Sequence, residues 1–255
     1  MNSHMTIRNI LEVCAGDIDS VVAAAKGGAS RVELCSALGE GGVTPSLGFI
    51  RRALEVPGIR VHVLIRPRGG DFLYDKAEVD CMVDDIIAAS EAGVHGVVIG
   101  ALTPEGDIDT AACRRMMEAA AGISVTFHRA FDLCRDPHQA LEEIIALGCN
   151  RVLTSGQAAN ALEGKERLAQ LVSQADGRII ILAGAGVNPA NAAEILSASG
   201  THEIHASARS SVASRMTFRH EGVAMGSPDS DEYSRKVTSP DIVRQIVENI
   251  TEISK

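Results

Sequence analysis

Two triplets with the same chemistry stand near the start of the chain, Glu12-Val13-Cys14 and Glu33-Leu34-Cys35, each inside an apolar run of strand type. Side chains alternate between faces along a strand, so the Glu and the Cys of each triplet share a face. If the two strands are parallel neighbours, two carboxylates and two thiols converge from one side of a sheet. A buried carboxylate is costly unless it is paired or coordinated. Its recurrence at the same offset in two successive strands marks a placed group. The chemistry on offer is soft-metal binding by thiolates or acid–base work by carboxylates.

The elements that must position these groups alternate along the whole chain. Strands are expected at 10–15, 31–36, 61–66, 96–100, 124–129, 151–154, 179–183 and 203–208, and a helix follows each. Helix starts are marked by Asp17, Ser46, Asp136-Pro137, Asn188-Pro189 and Ser239-Pro240. Val79, Met82, Val83, Ile86 and Ile87 form a 3.6-residue stripe on the third helix. Eight strand–helix units of roughly 30 residues, the size of a βαβ repeat, predict an α/β fold, a single-domain (β/α)8 TIM barrel over 10–255. No G-x-G-x-x-G follows the first strand, which argues against a doubly wound dinucleotide fold. Residues 210–238 are expected to be irregular. Residues 1–9 read as a lead-in, with Met1–Met5 as a cloning remnant.

Composition narrows the function. The net charge of −9 disfavours nucleic acid and anionic membrane as partners. No apolar run reaches the roughly 18 residues of a membrane span, and no signal peptide is visible. Aromatics are 3% of the chain, so the core is aliphatic, as parallel strands covered by helices require. Six cysteines without C-x-x-C spacing read as reduced thiols in a cytoplasmic protein. Cys81, Cys113, Cys134 and Cys149 read as small hydrophobes.

In a barrel the active face lies at the C-terminal ends of the strands. Parity puts Glu12 with Cys14, Glu33 with Cys35, His62 with Leu64 and Arg66, Ser124 with Thr126 and His128, and Glu203 with His205, Ser207 and Arg209. The lumen is the easier place for such groups, because an outward charge would be pressed against a helix. The loops after strands seven and eight, with Gly184, Gly186, Ser207 and Arg209, offer backbone N–H groups to an anion. Arg66, Arg68, Arg129 and Ser155 add charge and a hydroxyl. Each feature also has a structural reading: glycines for tight turns, and Glu and Arg for an internal ion-pair network.

These stretches resemble the CutC copper homeostasis family. The likeness runs through Leu11–Cys14, Arg31–Ser36, Glu40–Ser46, Ile65–Tyr74, Thr126–Asp132, Arg151–Gly156, Ser207–Ser210 and Val223–Gly226. Ile-Arg-Pro-Arg-Gly-Gly-Asp-Phe and Val-Thr-Phe-His-Arg-Ala-Phe-Asp are its most unusual segments. The resemblance implies a (β/α)8 barrel, a cytoplasmic homo-oligomer (a dimer or higher), and copper tolerance or trafficking with Cys14 and Cys35 as the metal ligands for Cu(I). Two functions follow as expectations. One is a copper homeostasis protein. The other is an enzyme (a lyase, isomerase or hydrolase) acting on a small anionic, phosphorylated or sugar-like molecule, with Glu12, Glu33, His128 and His205 as catalytic groups.

Overall fold

A computed structural model describes residues 9–220, 222–223 and 231–253. Residues 1–8, Glu221, residues 224–230 and 254–255 lie outside the described residues, and with them most of the expected lead-in and of Val223–Gly226. The chain runs β1 (Ile10–Ala15), α1 (Ile18–Gly27), β2 (Arg31–Leu34), α2 (Leu47–Leu54), β3 (Arg60–Leu64), α3 (Lys76–Glu91), β4 (Gly96–Ile99), α4 (Thr110–Ala119), β5 (Ser124–Phe127), α5 (Pro137–Leu147), β6 (Arg151–Thr154), α6 (Lys165–Ala175), β7 (Ile180–Ala183), α7 (Ala192–Ser199) and β8 (Glu203–Ala206). It ends with β9 (Arg209–Ala213), β10 (Ser234–Thr238) and α8 (Pro240–Glu252). Strands β1 to β8 are all parallel and close into a barrel, with β8 hydrogen-bonded back to β1. The expected (β/α)8 architecture is the observed one.

Two sets of side chains leave the sheet. Leu11, Val13 and Ala15 of β1 and Val32 and Leu34 of β2 face the helices and join one large aliphatic core. The other parity faces the lumen, where the apolar residues are fewer: a small cluster of Cys35, Leu64 and Val98, with Cys14 and Leu38 packed beside it, and the buried Leu153 and Leu182. Burial against the helices drives folding at roughly 25 cal/mol per Å² of apolar surface. The outer face is thus built for stability, and the polar lumen is what that stability supports.

Local signals act as expected at most helix ends. Asp17 Oδ1 accepts from Ser20 N at 2.7 Å, and α1 stops at Gly28 in the left-handed region. Asp75 and Glu78 form a reciprocal capping box on α3. Pro137 and Pro240 open α5 and α8 behind Asp136 and Ser239. Asn188-Pro189 does not open α7 directly. It forms a turn in which Asn188 N donates to Asn191 Oδ1 and Ala190 N donates to Asn188 Oδ1, and the helix begins at Ala192. The segment expected to be irregular carries an antiparallel ribbon, β9 paired with β10. Ala208, at φ +46°, breaks the line of β8 and turns the chain into that ribbon.

Candidate functional site

Strand register assembles a continuous polar column in the lumen. Glu12 lies level with Arg31 on one side and His205 on the other, Cys14 with Glu33, and Glu33 with His62. At the bottom, Glu203 Oε2 accepts from Arg31 Nη2 at 2.6 Å and from Arg151 Nε at 2.8 Å. Arg151 also donates to Ser124 Oγ at 2.8 Å. Glu12 takes Arg31 Nε on one oxygen and His205 Nδ1 at 2.8 Å on the other. Above this, His205 Nε2 stands 3.6 Å from Glu33 Oε2, and the Cys14 and Cys35 sulfurs are 3.6 Å apart. Two overlapping ligand sets result: Cys14, Glu33 and Cys35, and Glu12, Glu33 and His205.

Proton positions follow from counting charge. Burial favours the neutral form of Glu12, but Arg31 and the His205 hydrogen bond outweigh it and hold the carboxyl far below its usual range. His205 is likewise opposed by burial, yet its contacts with Cys14 and Glu12 and the nearby Glu33 raise it well above an ordinary imidazole. The bond from Cys35 lowers the Cys14 thiol to about 5 against burial, with His205 and Arg209 acting in the same direction. The shared proton therefore stays on Cys35, which is raised well above a free thiol by that bond and by burial. Arg31, Arg151 and His205 balance Glu12, Glu203 and the Cys14 thiolate. Burial, with help from Cys14 and Glu12, outweighs the opposing pull of His205 and lifts Glu33 to about 8. His62 is held neutral, lowered to about 3 by burial and the flanking arginines.

The column ends in a cavity of about 130 Å³ at the barrel mouth, lined by Cys14, Glu33, Cys35, Arg66, Phe72, His128, Arg129, Leu153 and His205 among others. The expected catalytic and metal groups are thus brought together, except that Glu12 lies one layer deeper. His128 accepts from Ala130 N through Nδ1 at 3.1 Å and packs on Phe72 with ring centres 4.9 Å apart. Burial and Arg66 lower it to about 3, so it is a neutral ring.

The expected anion ligands are more dispersed. Arg66 is buried and donates through Nη1 to the carbonyls of Glu40 and Gly42 and through Nη2 to that of Gly70, while its Nε has no partner among the described residues. Arg68 is paired with Glu78 and Asp71 outside the cavity. Arg129 pairs with Asp132 at 2.7 Å and reaches Ser155 Oγ at 3.4 Å. Ser155 is buried and donates to Ala158 O. Ser207 lends its carbonyl to Thr238, and Arg209 is exposed at the head of β9. A Cβ on Gly184 would come within 2.5 Å of Leu153, and Gly186 needs its φ of +70°. In the strand-seven loop the N–H groups of Asn188 and Ala190 are already taken by side chains.

Three residues escaped the sequence reading. Arg31 and Arg151 open their strands with the parity of Glu33 and of Leu153, so the alternation extended one step back would have found them. Asp132 accepts from the N–H groups of Ser155 and Gln157 and from the Thr154 hydroxyl, which fixes the loop after β6. Its only sequence signal is its place in the Phe-His-Arg-Ala-Phe-Asp run.

Residues 9–210 match the model of the CutC family. The chain belongs to the CutC family. A CutC family protein of Chromobacterium violaceum is 53% identical over 239 residues, covering 94% of this chain and 97% of its relative. One from Bacteroides thetaiotaomicron is 52% identical over 241 residues, with coverages of 94% and 97%. The crystal structure of a candidate copper homeostasis protein, CutC from Streptococcus agalactiae, superposes with a TM-score of 0.75 at 36% identity, over 78% of this chain and 98% of that one. No helix among the described residues is long and apolar enough to cross a membrane.

Proposed function

We propose that this CutC family member takes Cu(I) as cargo between Cys14 and Cys35 at the barrel mouth, in copper homeostasis. The carrying observation is the 3.6 Å separation of the two sulfurs, one of them held as a thiolate. Soft thiolates select Cu(I). With metal–thiolate bonds of about 2.3 Å, the length found for zinc, sulfurs this close hold an ion to one side of the line joining them. A third donor then completes the site, and Glu33 is grouped with both thiols for that place. The family resemblance adds a cytoplasmic homo-oligomer to this reading. Anaerobic Cu(I) titration against a competing chelator tests it. One tight site per chain, lost in the Cys14→Ser, Cys35→Ser double variant, is expected. The same stoichiometry and affinity in that variant would overturn it.

A second reading rests on a different observation, the relay from Glu12 through His205 to Cys14. A carboxylate 2.8 Å from Nδ1 orients a charged imidazole beside a thiol lowered to about 5, the arrangement that activates a nucleophilic cysteine. Protonated Glu33 would serve as the acid, with Arg129, which lines the same cavity, to hold a small anionic substrate.

A further inference from the structure

The opposite end of the barrel carries a second polar cavity that the mouth does not use. It measures about 660 Å³ and lies among the N-terminal ends of the strands, walled by Ile10, Ala29 and Ile59 and reached by Arg31, Arg60, Arg151 and His95. No carboxylate lines it among the described residues. Arg31 and Arg151 are balanced by Glu12 and Glu203 deeper in the lumen, so Arg60 brings this recess a positive charge without a partner among the described residues, in a chain of net charge −9, and such a charge draws anions into a low-dielectric recess.

The hydrogen-bond inventory separates structural charge from spare charge. Arg31 is 3% exposed and uses Nε and Nη2 on Glu12 and Glu203. Arg151 uses Nε and Nη1 on Glu203 and Ser124. Among the described residues, Arg31 Nη1 and Arg151 Nη2 have no protein acceptor. Arg60 makes neither a side-chain hydrogen bond nor an ion pair there. His95 Nδ1 accepts from Val61 N at 3.1 Å, which places the ring proton on Nε2 and makes that atom a donor. An ion-pair network that served only Glu12 and Glu203 would need neither Arg60 nor His95. Several donors with no acceptor among them match an oxyanion, which guanidinium forks bind through paired N–H···O bonds.

We infer that the N-terminal cavity is a phosphate-group site, formed by Arg31, Arg60, Arg151 and His95 and independent of the thiols at the mouth. The group arrives either as free phosphate or on a small phosphorylated metabolite, for which a cavity of this size has room. Arg60 supplies the charge that the carboxylates of the lumen do not already balance, so it dominates affinity.

Isothermal titration calorimetry at matched ionic strength, with inorganic phosphate and with ribose 5-phosphate, tests the site. One saturable site per chain is expected, weakened at least tenfold in Arg60→Ala and partly restored in Arg60→Lys. Arg60 is exposed, so these variants keep the fold, which circular dichroism verifies. Arg52→Ala, on the exposed face of α2 and away from both cavities, leaves the affinity unchanged. Imidazole nitrogen resonances of His95 shift on binding and stay still in Arg60→Ala. Tighter binding of ribose 5-phosphate assigns the site to a phosphorylated metabolite, and equal binding assigns it to phosphate itself. No saturable binding of either probe, or binding that survives Arg60→Ala undiminished, overturns the inference. The Cu(I) titration is unaffected by either result.

Discussion

Replacing Glu33 by Gln keeps the shape of the side chain and removes one ionisable proton from the centre of the lumen. Burial lifts Glu33 to about 8, whereas the same group in the unfolded chain titrates near about 4.3. Between those values the folded state holds a proton that the unfolded state releases. The sign is therefore fixed: the wild type loses stability, relative to Glu33→Gln, as pH rises through that window. The limiting slope is about 1.4 kcal/mol per pH unit, or roughly 2–3 kcal/mol between pH 5 and pH 7. For a chain of this length each kcal/mol moves Tm by roughly 2–4 °C. Cys14 and His205 also titrate with altered values, but they are present in both proteins and cancel to first order in the difference. Calorimetric scans of the two proteins from pH 5 to pH 8 should show the Tm of Glu33→Gln gaining on the wild type by several degrees. An infrared carboxylic-acid band at pH 7, absent from the variant, should accompany the gain. A Tm difference that does not change with pH would refute a protonated Glu33, and with it the charge count of the site.

Cys14 should keep a thiolate absorbance in the ultraviolet at pH 7 and lose it only as pH falls through about 5. Cys14→Ser should remove that signal, and Cys35→Ala, which deletes the donor, should raise the pH at which it appears, since the Cys35 hydrogen bond is the largest cause of the shift. Arg31→Met leaves Glu12 and Glu203 short of a buried partner. The cost is about 3–5 kcal/mol, read as a Tm fall of roughly 6–20 °C at pH 7. That difference should shrink in acid, because a carboxylate depressed by its partner stabilises the fold above its unfolded pKa and loses that contribution as pH falls.

Most of this architecture was legible in the sequence because barrel strands obey two strict rules. Each strand is apolar on its helix-facing parity, and each is followed by a helix, most of them with a side-chain cap, so the eight units could be counted from Ile10 to Ala206. The same parity put Glu12, Cys14, Glu33, Cys35, His128 and His205 in the lumen, where they lie. It failed at Arg209, because Ala208 in the left-handed region resets the alternation and sends the chain into the ribbon. The ribbon itself was hidden, since Arg209–Ala213 is polar and mostly exposed and shows no buried face. Side-chain pairing was also hidden: Arg66 has the position of a charge clamp but is committed to loop carbonyls. Spacing shows where a group lies, whereas only packing shows which of its atoms are free.

On the proposed function, Cys14 and Cys35 together hold the metal. Copper K-edge X-ray absorption on the full chain loaded anaerobically with one equivalent of Cu(I) reads the donor atoms directly. Two sulfur neighbours, with one lighter donor completing the set, are the predicted result, and Cys35→Ser should leave one sulfur. A first shell of nitrogen and oxygen alone, or a sulfur count that Cys35→Ser does not change, would contradict it.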